Sequence, residues 1–255
     1  SSHKLYESLL ASNLGNTPHL SPTYWLDLGQ TNRWQCLDIV TASQTFNAES
    51  ASYVFQVTGR VDGVYLGNVD ASEVVITARE SGGGAIVYGP TTYTLRKYVA
   101  TPWDWCFSEI EHVSEFVDID LPTYNDLQVT VTLNNTGSTV KIGTLLVGLS
   151  KTFGVTLMGA TFTINDYSIK TADDFGGYTF TERAFSKRGN FQIMVDRALV
   201  DVVGELLAKY RATPIVYIGT TEYTSAIIFG KFNSYSMNVQ YDSYSMCSLE
   251  IEGLT

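Results

Sequence analysis

Between residues 53 and 149 the chain repeats one pattern, a short run rich in Val, Ile, Thr and Tyr followed by a turn. The runs are YVFQV (53–57), GVYLGNV (63–69), EVVITARE (73–80), TTYTLRKY (91–98), SEFVDIDL (114–121), LQVTVTLN (127–134) and TVKIGTLLVGL (139–149). In EVVITARE and LQVTVTLN apolar residues alternate with Thr, Ala or charged residues, as a strand with one face in a core requires. Val61-Asp62-Gly63, SGGG (81–84) and NNTG (134–137) separate the runs with turn-forming residues. Strands at this spacing predict a β-sandwich or jelly roll over 37–153.

Beyond residue 153 the pattern changes. Residues 156–185 read as strand, polar Gly-containing turn and strand, and SKRGNFQIMV (186–195) adds another strand. A helix is predicted over 196–214, where Leu199, Val203, Leu206 and Tyr210 recur at helical spacing. Asp196 suits its N-cap, Lys209 and Arg211 complement the C-terminal dipole, and Pro214 stops it. Gly204 in mid-helix costs about 1 kcal/mol against Ala, which suggests a close-packed neighbour. Strands follow at 214–219, 225–241 and 245–254. The expected architecture is mainly β. It comprises an N-terminal segment (1–36), a jelly-roll or β-sandwich domain (37–153) and a smaller α+β domain (154–255) with one helix on an antiparallel sheet.

Composition narrows the function. Net charge is −10 with no Lys/Arg run, which argues against nucleic acid or an anionic membrane as main partner. No apolar run reaches the roughly 18–20 residues of a membrane span. Ser1-Ser2-His3-Lys4 lacks a signal-peptide core, and the missing initial Met suggests a processed or truncated chain. Cys36, Cys106 and Cys247 are far apart. Their odd number favours reduced thiols and assembly in a reducing cytoplasm, with a Cys36–Cys106 bridge as the alternative.

The residues that could carry chemistry form no catalytic set. His3, His19 and His112 have no partner at zinc-site spacing. The glycine runs 82–84 and 176–177 lack the context of phosphate binding and read as hairpin turns. Asp104, Glu109, Glu111 and Glu115 crowd one segment, and Asp173-Asp174 occupy a turn. These acids are read as solvated loop residues, with a structural calcium as the alternative and a glycan hydrolase using Glu109 or Glu111 as a further one. No catalytic residue, metal ligand or cofactor is assigned, and the chain is expected not to be an enzyme. Trp103-Asp104-Trp105 follows Pro102 and could expose a ring to a sugar. Strand alternation would instead place one Trp in the core and the other outside.

Three resemblances extend this reading. Tyr6, Asn13, Gly15, Pro18, Trp25 and Gly29 resemble the second half of the small aromatic carbohydrate-binding modules of chitinases and cellulases; the first half of that module is missing here. The resemblance implies that Tyr24 and Trp25 could stack on sugar rings, or pack against protein as an N-terminal clip. LQVTVTLNNTGSTVKIGTLLVGLS (127–150) resembles the closing strands of galactose-binding-like jelly rolls, a fold shared by lectins and scaffolds. Across nearly its whole length the chain resembles tail-associated structural proteins of tailed bacteriophages. The cues are YES, SPTYWLDLG and NRW near the start, then residues 172–177, 182–188 and 206–254. That resemblance implies a non-enzymatic virion component of the tail, baseplate or tail tip, assembled in the bacterial cytoplasm. Its partners would be other tail proteins and copies of itself in a symmetric ring. The alternative is a module recognising host-surface glycans through Tyr24, Trp25, Trp103 and Trp105.

Overall fold

A computed structural model describes residues 3–173, 176–239 and 241–254. The chain is mainly β, as its alternation predicts, and its antiparallel sheets curl into half-barrels. It divides into two compact units, residues 1–60, 66–114 and 121–147 forming the first and 61–65, 115–120 and 148–255 the second.

The first unit opens with a two-stranded hairpin, β1 (Lys4–Ser8) and β2 (Trp25–Gln30), followed by the short helix α1 (Asn32–Gln35). Then come β3 (Thr45–Gln56), β4 (Gly63–Asp70), β5 (Glu73–Arg79), β6 (Ile86–Thr94), helix α2 (Pro102–Phe107), β7 (Glu115–Asp118) and β8 (Gln128–Gly148). β4 begins in the second unit and ends in the first, and β7 belongs to the second. The first half of β8 lies between β3 and β5, so Val131 is flanked by Tyr53 and Ile76, and Leu133 by Ala51 and Val74. Val131, Leu133, Val74 and Ile76 are fully buried. Each such side chain contributes about 1.5–3 kcal/mol relative to exposure.

NNTG, expected to be a turn, does not reverse the chain. β8 runs unbroken for 21 residues. Its pairing with β3 shifts between Ala48↔Thr139 and Ser50↔Asn134, so the residues between form a bulge opposite Glu49. Gly137 and Glu49 take up the bulge with φ of 77° and 58°, and Asn135 donates from Nδ2 to the Thr139 carbonyl at 3.2 Å. The same residue types serve turns and bulges because both need left-handed backbone. SGGG does form the β5–β6 turn, with φ of 70° and 83° at Gly82 and Gly83.

The second unit contains β9 (Val155–Thr156), β10 (Thr161–Asp166), β11 (Ile169–Ala172), β12 (Tyr178–Thr181) and β13 (Phe185–Asp196). Helix α3 (Val200–Lys209), β14 (Ile215–Ile218), β15 (Ile227–Asn238) and β16 (Tyr244–Gly253) complete it. The main sheet has the order β10-β13-β16-β15-β14, with β9 also on β13, while β11 and β12 form a separate hairpin. One sheet face carries Phe191, Ile193, Val195, Cys247, Leu249 and Ile251 into a core with Val203 and Leu207 of α3. The other face is polar: Asn190 pairs opposite Glu250, and Gln192 opposite Ser248.

The helix is shorter than the sequence predicts. A 3-10 turn (Arg197–Leu199) leads into α3, and the Asp196 side chain accepts from the Ala198 N–H at 2.8 Å. A Cβ at Gly204 would meet only the Tyr235 hydroxyl, at 3.8 Å. That is ordinary contact, so the crowding expected there is absent. Gly176, with φ 83°, turns the β11–β12 hairpin as predicted. Asp174 lies outside the described residues, among which no helix is long and apolar enough to cross a membrane.

Candidate functional site

A group of exposed aromatic side chains, Tyr98, Trp103, Trp105 and Phe107, stands on one loop of the first unit, residues 98–110. Its neck is closed by backbone hydrogen bonds from Val113 to Leu95 (2.6 Å) and from Lys97 to Glu111 (2.9 Å). Lys97 Nζ also meets Glu111 Oε2 at 2.8 Å. His112 Nδ1 lies 2.8 Å from Asp70 Oδ1, and Lys141 Nζ 3.4 Å from Asp70 Oδ2. The His112 contact, then Lys141, holds the Asp70 carboxyl below the usual carboxylate range. A compact loop on an anchored neck is a common carrier of function.

Within this loop Trp103 and Trp105 occupy α2, not a strand. Thr101 accepts from the Asp104 N–H through its hydroxyl, and Pro102 stands in the first turn. Both are helix-start signals, so alternation does not apply and neither ring enters the core. Trp103 is 70% and Trp105 78% exposed, and Tyr98, Phe107 and Ile110 are exposed beside them. Trp103 packs on Phe107, one turn along, with ring centroids 4.3 Å apart.

Tyr24 and Trp25 stand on the N-terminal hairpin, away in sequence from α2. Asn13 donates to the Ser8 hydroxyl and the Tyr24 carbonyl, and Asn16 donates to Asn13 Oδ1. The Trp25 indole donates to the Asn16 carbonyl at 2.9 Å. Trp25 is thus half-buried against its own loop, while Tyr24 is exposed. Leu5, Leu9, Leu10, Leu14, Leu26 and Leu28 are exposed on the same element. A two-stranded hairpin is marginal alone in water, and leucines left outside it invite a protein partner.

A third feature was not anticipated. An open groove with a cavity volume of ≈ 140 Å³ runs between α1 and β3, lined by Asn32, Arg33, Phe46, Asn47, Ser52 and Tyr53 among others. Asn32 fixes its wall by exchanging two hydrogen bonds with the Phe46 backbone, at 2.8 and 3.0 Å. The Arg33 guanidinium lies 5.9 Å from the Tyr53 ring centroid. It forms no ion pair among the described residues.

The acidic residues disperse. Asp104 accepts from the Thr101 hydroxyl in the first turn of α2, Glu111 pairs with Lys97, and Asp173 closes the β11–β12 turn by accepting from the Gly177 N–H. His3 stacks on Trp34 at 4.2 Å. Among the described residues, no three or more His, Cys, Asp or Glu gather as a metal would require. All three cysteines are free: Cys36 and Cys247 are buried, Cys106 exposed on α2. The Cys36–Cys106 bridge is therefore not formed. Burial pushes the Cys247 thiol up to about 11.

Glu115, in the second unit, accepts from Lys187 Nζ at 2.6 Å through Oε1, while its buried Oε2 has no partner. Burial outweighs the lysine and raises its carboxyl above the ordinary value of 4.5. A raised acid contributes stability that is fully present below the ordinary value and lost as pH rises through the raised one. Wild-type stability relative to Glu115→Gln is therefore expected to fall as pH rises from the ordinary 4.5 through the raised value. Urea midpoints of both proteins across that range measure it, and a flat difference refutes the assignment.

No protein family, no curated protein and no solved structure matches the chain.

Proposed function

We propose that this chain is a non-enzymatic structural component of a phage virion, placed in the tail, baseplate or tail tip. There it joins the tail to fibres or decorates it, after assembly in the bacterial cytoplasm. The observation that carries the assembly role is the concentration of large apolar side chains on protruding elements. The leucines of the N-terminal hairpin, the α2 loop and Tyr178 and Phe180 on the β11–β12 hairpin are all exposed, although each unit has its own buried side chains. Surfaces of this kind mark protein contacts. The virion placement is supported by the resemblance, over nearly the whole length of the sequence, to tail-associated proteins.

A second reading has its own observation. Trp103 and Trp105 are exposed enough to stack on sugar rings, which suits recognition of a host-surface glycan. Particle composition and a glycan array separate the two. Antibodies against the purified chain are expected to label the tail of intact particles, and wild-type protein to leave the array blank. Absence of the chain from purified particles overturns the virion reading. Array binding that is lost in Trp105→Ala favours the glycan module. Point variants serve better than truncation, because removing residues 155–255 would uncover Tyr65, which is 5% exposed and packs against Phe229.

A further inference from the structure

The aromatic loop and the α1–β3 groove belong to the same unit, share no residue and carry complementary charge. The loop presents Tyr98, Trp103, Trp105 and Phe107, each between 69% and 92% exposed. At 150–250 Å² per aromatic side chain this amounts to roughly 450–750 Å² of apolar surface. A standard interface takes about 800 Å² from each partner, so the loop supplies most of one side of a stable contact. The groove's wall offers Phe46, which is 59% exposed, beside Asn32, Asn47 and Ser52, while Tyr53 is buried behind it.

Charge points the same way. The loop carries Asp104 and Glu109 beside its tryptophans, with Glu111 already paired to Lys97. The groove carries Arg33, a cation without an acidic partner among the described residues of a chain with net charge −10. An exposed arginine beside Phe46 favours an incoming indole through cation–π attraction and an incoming carboxylate through charge. Two α2 loops facing each other would match neither.

We infer that the α2 loop of one copy docks at the α1–β3 groove of a second copy, with a tryptophan against Phe46 and Arg33 facing the loop's carboxylates. A contact between two different surfaces of one chain is head-to-tail. It builds a closed ring where the rotation closes and a filament where it does not. This gives a contact for the ring of identical copies that the tail-protein resemblance implies and rests on that self-association alone: solution mass tests the contact, while particle labelling tests the virion placement.

Sedimentation of the purified full chain tests it with two kinds of variant. Trp103→Ser with Trp105→Ser removes the loop's rings, and Arg33→Glu sets a negative charge against Asp104 and Glu109. All three positions are exposed, and Phe46→Ser gives a second groove variant with Arg33 intact. At about 100 μM, above the micromolar constants that weaker interfaces of this size reach, wild type is expected to form oligomers. Each variant alone is expected to be monomeric. A mixture of the loop variant with a groove variant retains one intact loop and one intact groove, and is expected to form one-to-one dimers and nothing larger. Monomeric wild type, variants that still oligomerise, or a mixture that stays monomeric would each overturn the contact.

Discussion

Alanine at Phe191 is expected to lower the unfolding free energy by about 3–5 kcal/mol. The ring is 2% exposed and meets Phe162 edge-on, with centroids 5.6 Å apart. Two glycines make room for it. A Cβ at Gly189 would stand 2.8 Å from the ring's Cε2, and one at Gly219 would overlap Cε1. The cavity left by alanine would be walled in part by the backbone at Gly189 and Gly219, which cannot collapse inward as flexible side chains can. Phe191→Leu keeps most of the volume and is expected to cost less than about 1.5 kcal/mol. Urea denaturation followed by far-ultraviolet circular dichroism measures both. All four tryptophans (Trp25, Trp34, Trp103 and Trp105) lie in the first unit, so their fluorescence does not read this core directly. Equal midpoints for the alanine variant and wild type would remove Phe191 from the core.

Much of the first unit's core was legible because strand alternation is a local signal. EVVITARE and LQVTVTLN show their buried faces within eight residues, and the structure buries Val74, Ile76, Val129, Val131 and Leu133 as that period requires. Pairing is not local. That NNTG bulges inside β8 follows from both halves of β8 pairing with β3, and nothing within the four residues distinguishes a bulge from a turn. Helix α2 was legible in principle through Thr101, Pro102 and Asp104. Six residues are too few for a helical period to compete with the alternating aromatics, however, and the capping signal was the one to weigh.

The candidate site divides in the same way. Tyr24, Trp25, Trp103 and Trp105 stand out in the sequence because exposed aromatics are chemically conspicuous, and the structure separates them into a half-buried indole, an exposed tyrosine and two rings on α2. Tyr98 and Phe107 joined the surface only when the loop's neck fixed which residues project. The groove could not be read in advance. Arg33 and Tyr53 are ordinary residues apart, and they become a site when Asn32 ties α1 to Phe46.

The closest backbone approach predicts the other large effect. Gly230 of β15 stands opposite Gly253 of β16, next to Glu252. A Cβ at Gly230 would overlap the Glu252 carbonyl and come 2.7 Å from the Gly253 Cα. These are backbone atoms of a paired strand, so no rotamer change relieves the clash. Relief requires β15 to move off β16, and β16 also pairs with β13 along Arg188–Asp196. Gly230→Ala is therefore expected to cost about 3 kcal/mol, the upper end of ordinary overpacking. Amide hydrogen exchange separates this from a diffuse loss of stability. Protection should fall first along Ile227–Asn238 and Tyr244–Gly253, while the β3–β8 amides of the first unit keep theirs. A variant with wild-type exchange in β15 and β16 would show that the two strands yield at this point without cost.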